Sequence, residues 1–132
     1  MKNLKIGLVA SILLSAAMPA LAQVVIVSPK NTTAVNAALV SNIFLGKSTE
    51  LTAIDLPEGN AMRDAFYTKA TGKEGAQLKA YWAKLVFTGK AQPLKELAND
   101  AEVKKFVANN PNAIGYIDKA AVDGSVKVVL TP

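Results

Sequence analysis

The chain of 132 residues has no cysteine and no histidine. Without cysteine no disulfide can close a loop, so the fold rests on packing alone. The two absences together remove the usual zinc and copper ligands, the Ser-His and Cys-His nucleophile pairs, and imidazole acid–base chemistry. Aromatic residues make up only 6%, and the lysines are spread along helix faces. The basic stripe with interleaved aromatics that nucleic acid requires is therefore missing. None of the ten carboxylates falls in a metal-loop spacing, so neither metal nor cofactor is expected. Asp55 and Glu58 form the nearest thing to a catalytic pair, but nothing in the spacing brings a nucleophile or an electrophilic donor to them. They read as strand-end and loop acids, and no enzyme is expected.

The amino terminus is the first positive feature. Lys2 and Lys5 precede the apolar run "IGLVASILLSAAM", and "ALA" at Ala20–Ala22 satisfies the small-x-small cleavage rule. Residues 1–22 read as a cleaved signal peptide, because the run is shorter than the roughly 20 apolar residues that span a bilayer. No cysteine follows for lipidation, and no later segment is apolar enough to span. Residues 23–132 are expected to form a single domain with one modest core. Without Lys2 and Lys5, 13 basic residues face 10 acidic ones. That mild excess permits a small anionic ligand without arguing for one.

Along this domain, "QVVIV" (Gln23–Val27) is a β-branched run that predicts a buried strand. Thr32 or Thr33 is placed to cap a helix over 34–45, and Gly46 to end it. "LTAIDL" (Leu51–Leu56) predicts a second strand, stopped by Pro57 and Gly59. Asn60 opens a helix to about Ala70. A further helix over 75–87 carries Leu78, Tyr81, Trp82 and Leu85 at steps of three and four, a stripe expected in the core. Asn99 with Glu102 reads as a capping box for the next helix, whose inner face is Val103, Phe106 and Val107. Two strands close the chain, "AIGYI" and "VKVVL"; Gly115 in the first suggests a bulge or a close backbone approach. Alternating elements imply an α/β fold: a small mixed or mostly parallel sheet flanked by helices, with a right-handed crossover joining the first two strands.

In open α/β sheets ligands collect beyond the carboxyl ends of the strands. Two junctions there offer suitable groups. Ser28, Asn31, Thr32 and Thr33 leave the first strand; Gly59, Asn60 and Arg63 leave the second. Free amides and the dipole of a helix start attract anions, and an arginine fork recognises phosphate or carboxylate bidentately. Against this stands a purely structural reading, in which the polar residues are caps and Arg63 pairs with Glu58 or Asp64.

Several stretches resemble phosphate ABC transporter substrate-binding proteins: "VVIVSPKNTTAVNAALVSNIFLGK", "AFY" after Arg63, "AYWAKLVFTGKAQP" and "VANNPNAIGYID". The order and separation of "IFLGK" and "NAIGYI" are the most specific part. The resemblance covers nearly all of residues 23–132. It implies one lobe of a type 2 periplasmic-binding-protein fold, a place in the periplasm, and phosphate or a similar oxyanion as ligand. It also implies an ABC permease or another envelope protein as partner. The family carries an arginine and a Ser-Gly-Thr phosphate motif at the matching helix start. Here Gly59 and Asn60 occupy the glycine-serine region, Arg63 lies inside the helix, and the Ser-Gly-Thr is missing. With a single lobe, either two copies meet, or another protein supplies the second wall, or the module is a ligand-free interaction or regulatory part of the envelope.

Overall fold

The computed structural model describes residues 22–132. The predicted signal peptide lies, but for its last residue, outside them. Five strands form one sheet: β1 (Gln23–Val27), β2 (Thr52–Asp55), β3 (Lys95–Glu96), β4 (Ala113–Asp118) and β5 (Lys127–Leu130), in the order β3-β2-β4-β1-β5. Four helices connect them: α1 (Ala37–Phe44), α2 (Ala61–Thr71), α3 (Gly75–Phe87) and α4 (Asp100–Asn109). No helix of the described residues is long and apolar enough to cross a membrane.

The sheet is mixed in a particular way. β2 runs parallel to both β3 and β4, whereas β1 pairs antiparallel with β4 and with β5. Four strands therefore point one way, and β1 alone points the other. The expected right-handed crossover between the first two strands does not exist, because β4 separates them and they run in opposite directions. Every residue of β1 is buried, and such a run encodes burial but not direction.

The two faces of the sheet are covered by different helices. Side chains alternate along β4, so Tyr116 and Gly115 look to opposite sides. On one side Tyr116 stacks on Phe66 of α2 with ring centres 3.9 Å apart, and Phe44 of α1 meets both rings edge-on. On the other side α4 lies so close that a Cβ on Gly115 would sit 2.8 Å from Val103. Gly115 thus marks a close backbone approach. Val103 and Val107 are fully buried there, while Phe106 is only partly so.

Local chemistry fixes the helix ends. Asn60 caps α2, its Oδ1 accepting from the amides of Met62 and Arg63, and Gly72 ends the helix at positive φ. Asn99 caps α4 by accepting from the Glu102 amide at 3.0 Å. The Glu102 carboxylate accepts from the Ala98 amide, one residue beyond the cap amide that the standard box would use. α1 begins later than the sequence suggests. Its cap is Asn36, whose Oδ1 accepts from the Leu39 amide at 2.8 Å, not Thr32 or Thr33. The chain ahead of it is not helical and begins with a local turn in which Asn31 Oδ1 accepts from the Thr33 amide at 2.7 Å. Of the expected core stripe on α3, only Leu78 is buried; Tyr81, Trp82 and Leu85 are partly exposed.

Candidate functional site

The reversed direction of β1 decides where the sequence-predicted residues lie. The turn after β1 sits at the end of the sheet where β2 and β4 begin: Asn31 Nδ2 donates to the Pro111 carbonyl, just ahead of β4, at 2.7 Å. The turn after β2 lies at the other end, about 20 Å away along a six-residue strand. Ser28, Asn31, Thr32 and Thr33 are therefore not brought together with Gly59, Asn60 and Arg63. In the first group, Ser28 and Asn31 make hydrogen bonds that hold the turn itself. Ser28 is buried and its Oγ accepts from the Lys30 amide. The Asn31 carbonyl accepts from Lys127 Nζ at 2.7 Å, tying the turn to β5.

Of the second group, Asn60 is the cap of α2, and Gly59 and Arg63 on either side of it line a cleft of about 630 Å³. Its floor is Asp55 at the carboxyl end of β2, one wall is the start of α2, and the facing wall is α3 with Trp82, Ala83 and Val86. Pro93, Leu94 and Glu96 complete the rim. Gly59 leads into the turn at φ 87°, a backbone region that side chains disfavour.

Asp55 is the organising group, and its place at the end of a strand does not by itself announce that role. It is 4% exposed, and a carboxylate so placed must be hydrogen-bonded or paired. Its Oδ1 accepts from Tyr116 Oη at 2.5 Å and from the Leu56 amide at 2.9 Å. Its Oδ2 accepts from Tyr67 Oη at 2.8 Å and faces Arg63 Nε at 3.4 Å. Arg63 thus pairs with Asp55, not with Glu58 or Asp64, and its guanidinium also lies 4.9 Å from the Tyr67 ring centre. Glu58 is taken by Lys79 at 3.5 Å across the mouth, both side chains well exposed. The signal in the sequence is an aspartate between apolar residues in "AIDL", with a tyrosine inside the apolar run of "AIGYI".

Ionisation follows from this geometry. Burial, and then the charge on Asp55, push the Tyr67 and Tyr116 hydroxyls far above the ordinary phenol range, so both remain donors. Burial pulls the Arg63 pKa down, but the Asp55 charge and smaller contributions from the two tyrosines outweigh it, and the net direction is up. Arg63 stays charged. Its side chain is 14% exposed, and among the described residues only its Nε has a protein acceptor. The rest of the fork is available at the cleft. Around it the charge is unfavourable for an anion: Asp55, Glu58, Asp64 and Glu96 line the cleft against Arg63 and Lys79. Among the described residues no cluster of acidic, histidine or cysteine side chains is arranged to hold a metal.

The described residues thus form a mixed sheet with helices on both faces and a cleft beyond the carboxyl end of β2. No family model and no curated protein sequence matches the chain. Solved structures do. It is similar to an ABC-type phosphate transport receptor from Vibrio cholerae, with a TM-score of 0.63 and 17% identity over 82% of this chain. It is also similar to a putative phosphate ABC transporter substrate-binding protein with bound phosphate from Clostridium perfringens, with a TM-score of 0.64 and 22% identity, again over 82% of this chain. At these identities the likeness establishes the fold. The chain spans less than half the length of either neighbour, 45% and 44%.

Proposed function

We propose that the protein is an exported, non-enzymatic solute-binding-like protein, with residues 1–22 as its leader and 23–132 as one lobe. In this reading it holds phosphate or a similar oxyanion at the Gly59–Arg63 turn, weakly alone and more firmly once a second wall closes the cleft. Arg63 carries the reading: a charged fork at a helix start, opening on a cleft beyond the carboxyl end of β2, in a receptor fold. Weakness follows from its surroundings. Asn60 already occupies the Met62 and Arg63 amides, and four carboxylates repel an incoming anion. An ABC permease, another envelope protein or a second copy of the chain would supply the missing wall.

Calorimetric titration with phosphate at low salt, with sulfate as the control for general anion attraction, tests this. The expected result is a dissociation constant of about 1 mM, near −4 kcal/mol. No heat at millimolar phosphate, with the protein shown to be folded, would sink the stand-alone part of the proposal. A second reading is favoured by the Arg63–Asp55 pair itself: a ligand-free interaction module in which Arg63 only neutralises a buried acid. Arg63→Ala separates the two. Loss in the variant of an anion affinity that the natural chain shows supports the first reading; no anion affinity in either protein, with lowered stability in the variant, supports the second.

A further inference from the structure

Helix α3 is weakly embedded for its length. Of its 13 residues only Leu78 is buried, whereas a surface helix ordinarily buries a stripe about 100° wide. Its other attachments include the Tyr81 hydroxyl, which donates to the Leu45 carbonyl at 2.7 Å, Trp82, which rests on Gly46, and the exposed Lys79–Glu58 pair. The side turned to the cleft carries Ala76, Lys79, Ala83 and Val86, all exposed and spaced three and four apart. At the end of this ridge Val86 is 41% and Phe87 92% exposed. Only one other large hydrophobic side chain of the described residues, Val128, is as open, so the exposure is concentrated beside the cleft. The apolar end of this ridge, Val86 and Phe87 together, is the kind of exposure that accompanies an interaction surface.

Charge identifies the occupant. Asp55 is paired with Arg63, and Glu58 with Lys79. Asp64 and Glu96, also at the cleft, have no ion-pair partner among the described residues. We propose that this wall is the docking surface for an amphipathic segment of a partner protein. Its apolar side chains cover Val86 and Phe87, and its lysines or arginines meet Asp64 and Glu96. The inference rests on the reading that the second wall comes from outside the chain. A docked cation would also offset the repulsion felt by an oxyanion at Arg63, so partner and oxyanion would each raise the other's affinity.

Trp82 is the sole tryptophan of the chain and lines the cleft, so its emission reports occupancy. The protein is titrated in phosphate-free buffer with an amphipathic leucine–lysine helical peptide and with its leucine–glutamate counterpart. The expected result is a saturable, salt-sensitive emission change with the lysine peptide alone. Affinity is expected to fall about tenfold in Val86→Ser/Phe87→Ser and about threefold in Asp64→Asn/Glu96→Gln. Both pairs are on the surface, and circular dichroism verifies their folding. The proposal is overturned by absence of saturable binding, by equal binding of the two peptides, by unchanged affinity in both variants, or by preference for phosphatidylglycerol vesicles over the peptide. Because phosphate is absent, a failure here is distinct from a failure of the oxyanion reading, which its own titration decides.

Discussion

The buried carboxylate of Asp55 ties β2, α2 and β4 together through single atoms. Tyr67 and Tyr116 each donate to it, and both rings are fully buried. Asp55→Ala leaves two phenol hydroxyls without their acceptor, and each buried orphan costs about 1–3 kcal/mol. A loss of about 2–5 kcal/mol in urea unfolding is therefore expected; a loss below about 1 kcal/mol would show that water replaces the carboxylate as acceptor. The tyrosines also set an alkaline limit. Their folded-state pKa values lie above the unfolded value of about 10. The folded state therefore holds protons that the unfolded state releases above that pH. Their contribution is complete below about pH 10 and is lost as pH rises further. Urea midpoints followed upward from neutral pH should fall beyond about pH 10, and less steeply in Tyr67→Phe. A flat profile would contradict the burial of these hydroxyls.

Among the elements, the contact between α4 and β4 is the tightest that a single substitution can probe. Gly115→Ala places a Cβ 2.8 Å from Val103 and 3.2 Å from Val107. Overpacking of this kind costs about 1–3 kcal/mol, and adding Val103→Ala should recover part of it. Thermal unfolding of the two single variants and the double variant measures the coupling, and strict additivity would contradict the close approach. Gly115 is also a place where the sequence was legible, since a glycine inside an apolar strand commonly marks a bulge or a neighbouring element packed close to the backbone. β1, β2 and β4, the extent of α3 and the Asn60 and Asn99 caps were legible for similar local reasons. β3 was not, because two exposed residues carry no pattern. The start of α1 was not legible because Asn31 ties its turn to Pro111, a residue distant in sequence, and Asn36 offers a further cap beyond Thr32 and Thr33. The partial exposure of Trp82 and Leu85 was hidden because helical spacing gives a face but not what covers it.

For the molecule as a whole, strand direction governs what can be a site. With β1 reversed, the Ser28–Thr33 and Gly59–Arg63 turns lie at opposite ends of the sheet. A sequence pattern that marks both as strand-to-helix junctions has no means of separating them, because the pairing partner β4 lies far along the chain. The resemblance to phosphate receptors indicated the fold. The balance of charge at the cleft, by contrast, depends on Glu96 and Lys79 arriving from elements distant in sequence. Any oxyanion binding by this chain should accordingly be located at Arg63 and nowhere near Ser28. The amide spectrum of isotopically labelled protein, titrated with phosphate for the natural chain and for Arg63→Ala, decides the point. Saturating shifts are expected at Gly59, Asn60, Ala61 and their cleft neighbours alone, and they should be lost in the variant. Shifts centred on Ser28–Thr33, or shifts at Gly59–Arg63 that persist without Arg63, would contradict that location.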